Sequence, residues 1–288
     1  MQLTTQTISP ENPIRSLPHR PLVIVIGGLD PSGAGLQADI ETCAALGVHA
    51  LPITTAVTIQ NTARVVRIIP LAAKDVFEQL THLTHDIATP AACKIGMLPN
   101  PTVIEAVGAA LRALPPTVPI FLDPVMRASS GAAFTDEETL AALRRLLPQI
   151  MLVKPNSAEA QRLAQLASLA AAAQFLAQSG CRYALLSGTD DARDERARHV
   201  LYRDGIEYAA YAWPLLDGLY HGTGCTLTTA IAAFVALGCT MEAAVAAAQN
   251  YTWQTLVNAY SIGARQAIPA RMFGARANPV APDADEPA

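Results

Sequence analysis

Strand-like and helix-like segments alternate along most of this chain, and the alternation restricts the fold more than any other feature of the sequence. Residues 22–26 form a continuous apolar run rich in β-branched side chains, typical of a strand buried on both faces. Residues 36–46 are predicted as a helix ending before Gly47, since glycine is favoured just past a helix terminus. The order repeats, with strands predicted at 53–59, 92–95, 119–122 and 151–153, and helices at 74–87, 103–114, 137–147 and from 157 onward. This pattern predicts an α/β fold with a mostly parallel central sheet and helices on both faces.

The pattern changes after residue 180, where three short strand-like runs are predicted at 183–186, 199–202 and 206–211. Asp204 and Gly205 form a hairpin signal between the last two runs. We therefore expect the sheet to end antiparallel at one edge. Residues 21–273 are predicted as a single domain. A flexible segment of residues 1–20 precedes it, and a disordered tail at 274–288, rich in proline, alanine and aspartate, follows it.

The composition of the chain predicts which classes of partner it lacks and which cellular compartment it occupies. The formal net charge is -4 and no lysine or arginine cluster interleaves with aromatics, so we expect no nucleic-acid partner. The 5 cysteines form no C-x-x-C pair, and residues 1–20 do not resemble a secretory signal, which favours a reducing, cytoplasmic location. The most apolar stretch, 227–248, is mostly alanine and threonine and contains Glu242. It is predicted as two packed helices broken near Gly238, and no membrane association is expected.

A short glycine-rich stretch before the predicted helix 227–237 is the strongest chemical signal in the chain. It contains Gly222, Thr223, Gly224 and Cys225. The first turn of a helix carries backbone N–H groups without partners and the positive end of the dipole, and glycine lets an anion approach closely. A thiol in that field is biased toward thiolate. The alternative is a plain turn, with Thr223 as a helix cap and Cys225 as a small buried residue.

Four further loops follow predicted strands, at residues 27–28, 96–97, 123–124 and 154–156. Ligands in open α/β sheets bind beyond the carboxyl ends of the strands. These loops are therefore expected to converge on one crevice.

Seven short motifs occur in consistent order across residues 22–260: GLDPSG (28–33), QAD (37–39), TIQNT (58–62), KIGML (94–98), DPVM (123–126), KPNSAEA (154–160) and HGTGCTL (221–227). Together they resemble the hydroxymethylpyrimidine/phosphomethylpyrimidine kinases of thiamine biosynthesis, in the ribokinase-like superfamily. The resemblance implies a three-layer α/β/α ribokinase-like fold with an antiparallel sheet edge. It also implies ATP and Mg²⁺ as cofactors, a homodimer, and phosphorylation of 4-amino-5-hydroxymethyl-2-methylpyrimidine and then of its monophosphate.

The same resemblance assigns site residues. The catalytic set is Cys225, which would assist deprotonation of the hydroxymethyl group, with Gly222, Thr223 and Gly224 as an anion hole. The substrate set is Gly28, Asp39, Gln60 and Met97. Each has a plainer alternative: Asp39 as a solvated helix residue, Gln60 as a strand-end polar group, Met97 as core.

ATP and phosphate contacts are assigned to Asn156, Ser187 and Gly188, and the magnesium ligands to Asp123 and Glu159. Hard oxygen donors at a crevice edge suit Mg²⁺, although Glu159 could simply complement a helix dipole. The chain departs from the common family pattern by lacking a lysine near Ser187 and another after Met126. Lys154 and Arg193 are the conceivable replacements on the ATP phosphates.

Three other functions stay open on the sequence alone. A pyridoxal/pyridoxine kinase would share the anion loop and Cys225, although Gln60 and Met97 favour the aminopyrimidine. A regulatory pyrimidine-binding protein without turnover would account for the missing lysine. A cysteine acyl transferase would need a His/Asp pair around Cys225, and no loop convincingly supplies one.

Overall fold

The computed structural model describes residues 20–126, 135–188 and 196–274. The first half of the chain contains β1 (Leu22–Leu29), α1 (Gly35–Ala45), β2 (His49–Gln60), β3 (Val65–Pro70), α2 (Ala73–Asp86), β4 (Ala92–Ile95), α3 (Pro101–Leu111) and β5 (Ile120–Leu122). The second half contains α4 (Glu137–Leu146), β6 (Leu152–Val153), α5 (Ser157–Ala164), α6 (Leu169–Gln178), β7 (Tyr183–Gly188), β8 (Arg196–Arg203), β9 (Ile206–Pro214), α7 (Thr223–Ala236), α8 (Met241–Val257), β10 (Tyr260–Ser261) and β11 (Ala267–Ile268). The sequence-based predictions for the two ends of the chain and for residues 127–131 fall almost wholly outside the described residues.

Nine strands form the central sheet in the order β3-β2-β1-β4-β5-β6-β7-β8-β9. Neighbours from β2 to β7 pair in parallel, and β7, β8 and β9 pair antiparallel, as the sequence predicted. The prediction of one antiparallel edge was incomplete, because β3 also pairs antiparallel with β2 at the opposite edge. Both edges are therefore hairpins, and the parallel strands lie between them.

Two apolar layers hold the helices to the sheet. Side chains of α2 to α6 pack on one face around Ile24, Ile26 and Leu122. Those of α1, α7 and α8 pack on the other face around Val23 and Val25. Alternate residues of β1 therefore enter opposite layers, as expected for a strand buried on both sides.

The apolar stretch 227–248 is divided as predicted between α7 and α8, with Gly238 at φ 92° between them. Glycine reaches this left-handed conformation without the steric cost that a Cβ would bring. Within the described residues, no helix combines the length and hydropathy that crossing a membrane requires.

Candidate active site

Loops at the carboxyl ends of the parallel strands border a cavity of about 430 Å³, here called the first cavity. Of the residues singled out in the sequence, it brings together Gly28, Gln60, Met97, Asp123, Asn156, Glu159 and the loop residues 222–225. These residues come from six separate segments of the chain. The crevice expected from the strand ends is therefore present in the tertiary structure.

Asp39 does not line this cavity, and the structure does not bring it together with the other predicted substrate contacts. The side chain is fully buried beneath it in α1 and accepts two 2.8 Å hydrogen bonds from Lys94 Nζ. Thr229 Oγ1 donates a third, of 2.6 Å. Asp39 therefore neutralises a buried lysine. Helical spacing within α1 turns residue 39 toward α7 and β4, away from the ligand-binding edge of the sheet.

The anion loop, residues 222–225, leads directly into α7. Gly222 is the N-cap at φ 85°, in the left-handed region that favours glycine, and the Thr226 amide donates to its carbonyl oxygen. A Cβ on Gly224 would lie 3.2 Å from Asp123 Oδ2 and 3.4 Å from Lys154 Nζ. The first turn of α7 therefore faces a carboxylate and an ammonium group directly across the cavity.

Cys225 lines the cavity but is 9% exposed, and the predicted bias of its thiol toward thiolate is wrong for the unliganded chain. Burial raises the pKa of Cys225 to about 11, although the nearby Lys94 ammonium acts in the opposite direction. Desolvation of the charged form is the largest cause, and the Asp123 and Asp39 charges add to it. At neutral pH the side chain is a thiol.

Asp123, Lys154 and Glu159 form the charged wall of the cavity. Lys154 Nζ lies 3.3 Å from Asp123 Oδ1, and both side chains are 6% exposed. Burial disfavours the Lys154 ammonium, but the Asp123 and Glu159 carboxylates outweigh it and raise its pKa. Burial and the Asp123 charge together raise the pKa of Glu159. These two carboxylates repel each other, so a cation between them would be stabilised.

This donor set fits Mg²⁺, which prefers hard oxygen ligands. Among the residues that the structure describes, no three His, Cys, Asp or Glu side chains are grouped closely enough to hold an ion by themselves. Asp123 and Glu159 would therefore supply part of the coordination, with phosphate oxygens and water completing it. Glu159 is also fixed by the protein, because it accepts from the Asn156 amide at 2.9 Å and caps α5.

A polar network not foreseen in the sequence lines the opposite side of the cavity. His221 Nε2 lies 2.6 Å from Asp30 Oδ2, and Ser32 donates to Asp30 Oδ1 through both its amide and its hydroxyl. Burial alone would raise the pKa of Asp30, but the hydrogen bond and charge of His221, with the Ser32 bonds, lower it. Asp30 is therefore ionised, with His221 Nε2 against one carboxylate oxygen and Ser32 against the other. The network joins the first glycine loop to the anion loop.

Gln60 and Met97 lie on the same side of the cavity as this network. Gln60 Nε2 donates to Ser32 Oγ at 2.9 Å and lies 3.2 Å from His221 Nε2. Met97 lies over Gly28, where an added Cβ would come within 2.4 Å of the Met97 methyl carbon. The absence of a side chain at Gly28 leaves room for the end of Met97, and the two form an apolar wall beside the Gln60 amide.

The predicted phosphate residues are only partly brought together. Asn156 lines the first cavity and forms a bridge with Ser187 at the end of β7, and Gly188 lies against Ser157. Ser187 and Gly188 are not among the residues lining the cavity. Of the two lysine replacements considered, Lys154 is in the cavity wall, and Arg193 lies outside the described residues.

A second cavity of about 320 Å³ adjoins the first, and Tyr220 and Thr223 line both. Its walls come from β8, β9, α7 and α8 and are mainly apolar, with Trp213 and Trp253 stacked at 6.0 Å. Burial lowers the pKa of His199, at its side, to about 4, so this ring is neutral. The second cavity can accept a flat apolar group connected to an anion at Thr223.

Sequence reasoning gave no role to Lys94 and did not single out Arg271. Lys94 lies within one of the motifs and in β4, whose other residues are apolar and buried. A lysine in such a strand indicates that a negatively charged side chain from another part of the chain pairs with it. Arg271 has no comparable local signal. It lies beyond all seven motifs and is 2% exposed in the folded chain.

The chain is similar in sequence to known proteins. Residues 30–270 match the phosphomethylpyrimidine kinase family. A hydroxymethylpyrimidine/phosphomethylpyrimidine kinase of Synechococcus elongatus is 36% identical over 262 residues, which is 85% of this chain and 95% of the relative. A probable chloroplastic thiamine biosynthetic bifunctional enzyme of Oryza sativa subsp. japonica is 35% identical over 84% of this chain, and the chain spans 45% of that relative's length.

Among solved structures, the Staphylococcus aureus pyridoxal kinase in complex with AMP-PCP and pyridoxal superposes with a TM-score of 0.79. The superposition covers 90% of this chain and 96% of that one, at 24% identity. At this identity the likeness bears on the fold alone. The ribokinase-like architecture predicted from the motifs is confirmed.

Proposed function

Because the chain belongs to the phosphomethylpyrimidine kinase family, we propose that it transfers the γ-phosphoryl group of ATP to 4-amino-5-hydroxymethyl-2-methylpyrimidine and then to its monophosphate. One observation carries the proposal: the anion loop lies where two adjoining cavities meet, since Thr223 lines both. A nucleotide in the second cavity would place its phosphates at this loop. A pyrimidine alcohol in the first cavity would face them from the other side.

A protein catalyses phosphoryl transfer mainly by aligning the two reacting groups and by stabilising the charge on the transferred group. The backbone N–H groups of residues 223–225 at the start of α7 provide such stabilisation without having to reorganise. Lys154 Nζ, close to Gly224, is the ammonium group placed to contact a phosphate there, and we assign to it the role of the missing lysine. Magnesium, when bound at Asp123 and Glu159, would neutralise charge on the ATP phosphates.

Substrate recognition is assigned to Gly28, Met97 and Gln60. The Gln60 amide nitrogen is engaged with Ser32, so its carbonyl oxygen is the atom that can accept a hydrogen from the 4-amino group. Gly28 and Met97 provide the apolar face against which the ring would stack. Asn156, Ser187 and Gly188 remain proposed contacts for the nucleotide.

Replacing Gln60 by methionine, which has similar length, should raise KM for the aminopyrimidine on the order of 10-fold, because one hydrogen bond to the amino group is lost. The effect on kcat should be much smaller. Steady-state kinetics with saturating MgATP measures both constants. Arg67→Met, on the exposed side of the neighbouring strand, is the control. An unchanged KM in Gln60→Met would contradict the recognition role.

Nucleotide binding should change the tryptophan fluorescence of the chain. The sequence has 2 tryptophans, Trp213 and Trp253, and both line the second cavity. A titration with ADP and Mg²⁺ should therefore quench or shift the emission, because a purine would stack near the indole rings. Titration with inorganic phosphate is the control and should leave the emission unchanged. An ADP titration that bound by calorimetry without altering the emission would place the base elsewhere.

The proposed activity is tested by incubating the chain with MgATP and either hydroxymethylpyrimidine, its monophosphate or pyridoxal, followed by mass or phosphorus NMR detection. Mono- and diphosphate formed from the pyrimidine is the expected result. Phosphorylation of pyridoxal alone would move the assignment to a pyridoxal kinase. Pyrimidine binding without any product would favour a regulatory protein.

We also propose that the chain forms a homodimer in the cytoplasm. Leu29, Val57 and Ile69 are 37 to 44% exposed and directly paired across β1, β2 and β3, forming an apolar row beside the edge strand. A two-fold copy could cover this row and the β3 edge together. The 5 cysteines are all unpaired with one another, as a reducing compartment requires.

Light scattering at micromolar concentration should give twice the chain mass of 30.3 kDa. Val57→Lys should shift the mass to that of one chain, because a charge would then lie within the apolar row. Ile206→Lys, in β9 at the opposite edge of the sheet and 73% exposed, is the comparison and should leave the mass unchanged. A wild-type chain that is monomeric at these concentrations would contradict the dimer.

A further inference from the structure

The segment that follows α8, residues 260–271, crosses back over the loops of the first cavity and is here called the C-terminal strap. It contacts three of them. A Cβ on Gly263 would lie 2.3 Å from Thr62 Oγ1, just after Gln60, and Ile268 packs against Gly33 of the first glycine loop. The His221 amide donates to the Ala267 carbonyl oxygen at 2.9 Å. The strap therefore joins loops that are far apart in sequence.

Arg271 is the charged residue at the end of the strap, and its side chain is fully buried. Nη2 donates to the Gly33 carbonyl oxygen at 2.6 Å, and Nε donates to Thr226 Oγ1 at 2.9 Å. Nη1 donates to Glu41 Oε2 at 2.8 Å. The planar guanidinium fixes all three partners at once, which a lysine ammonium on a flexible stem cannot do.

These contacts reach the anion loop through one hydroxyl group. Thr226 Oγ1 accepts from Arg271 and donates to the Gly222 carbonyl oxygen at 2.8 Å. In a trans peptide the carbonyl and the following N–H point in opposite directions. Holding the Gly222 carbonyl toward the helix therefore directs the Thr223 N–H outward, to the place where a phosphate would bind.

The fit is close, because a Cβ on Gly222 would lie 2.6 Å from Arg271 Nη2 and 2.7 Å from the Gly33 oxygen. The guanidinium is thus packed directly beneath the loop. It is not among the residues that line either cavity, so it acts on a ligand only through the loop and through its charge.

On the premise of the kinase activity proposed above, we propose that Arg271 is a positioning residue for phosphoryl transfer. It locks the anion loop and the first glycine loop in one arrangement beneath the helix start, while Glu41 pairs with its charge. The geometry of the anion hole thus depends on the C-terminal strap as well as on the loop itself.

The test compares kcat and KM of Arg271→Gln, Thr226→Val and Thr226→Ser with those of the wild-type chain. Arg271→Gln and Thr226→Val should each lower kcat on the order of 10- to 100-fold, since small misplacements of reacting groups have effects of this size. KM for the alcohol should change by less than about threefold. Thr226→Ser keeps the hydroxyl and should recover most of the loss seen with Thr226→Val. The variant with both Arg271→Gln and Thr226→Val should be no slower than the worse single variant.

Arg145→Gln, which removes an exposed arginine paired with Glu105, is the matched control and should keep wild-type kcat. If Arg271→Gln fails to fold, Thr226→Val alone decides the question. A folded Thr226→Val or Arg271→Gln variant with wild-type kcat and a lowered Tm would overturn the proposal, because that result is expected of a purely structural arginine.

The ratios of variant to wild-type kcat and KM are measured with whichever alcohol the wild-type chain phosphorylates. They therefore stay informative if the substrate differs from the proposed pyrimidine. A wild-type chain that phosphorylates no alcohol would contradict the proposed function alone. The binding of inorganic tripolyphosphate, followed by calorimetry, then decides the role of Arg271. Affinity lowered in Arg271→Gln supports the positioning role, and equal affinity overturns it.

Discussion

Replacing Lys94 by methionine should lower the free energy of unfolding by about 3–5 kcal/mol, because it leaves the Asp39 carboxylate buried without its cation. Both side chains are completely buried, and the ammonium donates to both carboxylate oxygens at 2.8 Å. Burial by itself disfavours the ammonium, but the Asp39 charge, with Cys225 and Asp123 nearby, raises the pKa of Lys94. Burial raises the pKa of Asp39, whereas the charge and hydrogen bonds of Lys94 act to lower it. The two 2.8 Å contacts to both carboxylate oxygens are the geometry of an ion pair, and we take the pair as charged.

Denaturant unfolding of the variant measures this loss, and a decrease in Tm on the order of 10 °C should accompany it. Lys74→Met is the matched control, since Lys74 forms an exposed ion pair with Glu78 and should change stability by less than about 1 kcal/mol. The double variant Asp39→Leu with Lys94→Met should recover most of the stability, because it removes both charges together. A Lys94→Met variant as stable as wild type would contradict the pairing.

The double variant also separates stability from catalysis. Lys94 lines the first cavity and its charge acts on Cys225, whereas Asp39 does not line that cavity. If kcat falls in a double variant that is as stable as wild type, the Lys94 charge contributes to the reaction. If kcat is unchanged, the pair is structural.

Cys225→Ala should lower kcat on the order of 100-fold while leaving the affinity for the pyrimidine largely unchanged, if its sulfur accepts the hydroxymethyl proton. Because the thiol pKa is about 11, the thiolate fraction is small at pH 7 and rises nearly tenfold with each pH unit. The kcat of the wild-type chain should therefore rise steeply between pH 7 and 9. In Cys225→Ala the rise should disappear.

The kcat measurements are limited to pH 9 and below because the folded chain loses stability at higher pH. Burial raises the pKa of Cys43, Cys93 and Cys181 to about 12, and that of Cys225 to about 11. Above the ordinary thiol pKa the unfolded chain loses protons that the folded chain keeps, so the free energy of unfolding falls as pH rises from about 9 toward 11–12. Below pH 9 this effect is small, and the kinetic comparison is made on folded protein.

Cys239→Ala is the control, since Cys239 is the exposed cysteine. It should keep both the wild-type kcat and the wild-type pH profile. A Cys225→Ala variant with kcat within about twofold of wild type would defeat the proton-accepting role. Catalysis would then rest on the anion loop, Lys154 and the magnesium ligands.

Most of the sheet could be predicted because its strands are locally distinct. β4 begins and ends at the predicted residues, and β1 and β7 extend the predicted segments by only a few residues. β3 was missed although Val65, Val66, Ile68 and Ile69 are typical of a strand. Its role depends on β2, which is 12 residues long and extends to Gln60, offering β3 a pairing edge.

The motifs predicted some site residues correctly and could not place others at the cavity. Gln60, Met97, Asp123 and Glu159 all line the first cavity, because each follows a strand or begins a helix at the same edge of the sheet. Asp39 belongs to an equally distinct motif but lies inside a helix, where the direction of one side chain depends on how the helix packs. The sequence could not show that residue 39 faces Lys94.

The amino-acid sequence by itself determined most of the order of strands and helices, without β3, and the glycine loop at the start of α7, because these depend on residues close together in the chain. The tertiary structure alone decided which charges meet. Lys94 and Asp39 are 55 residues apart, and Arg271 and the Gly33 carbonyl are 238 apart. Contacts over such separations are set by the packing of whole layers, and burial then fixes the ionisation of Lys94 and Cys225, which no local pattern encodes.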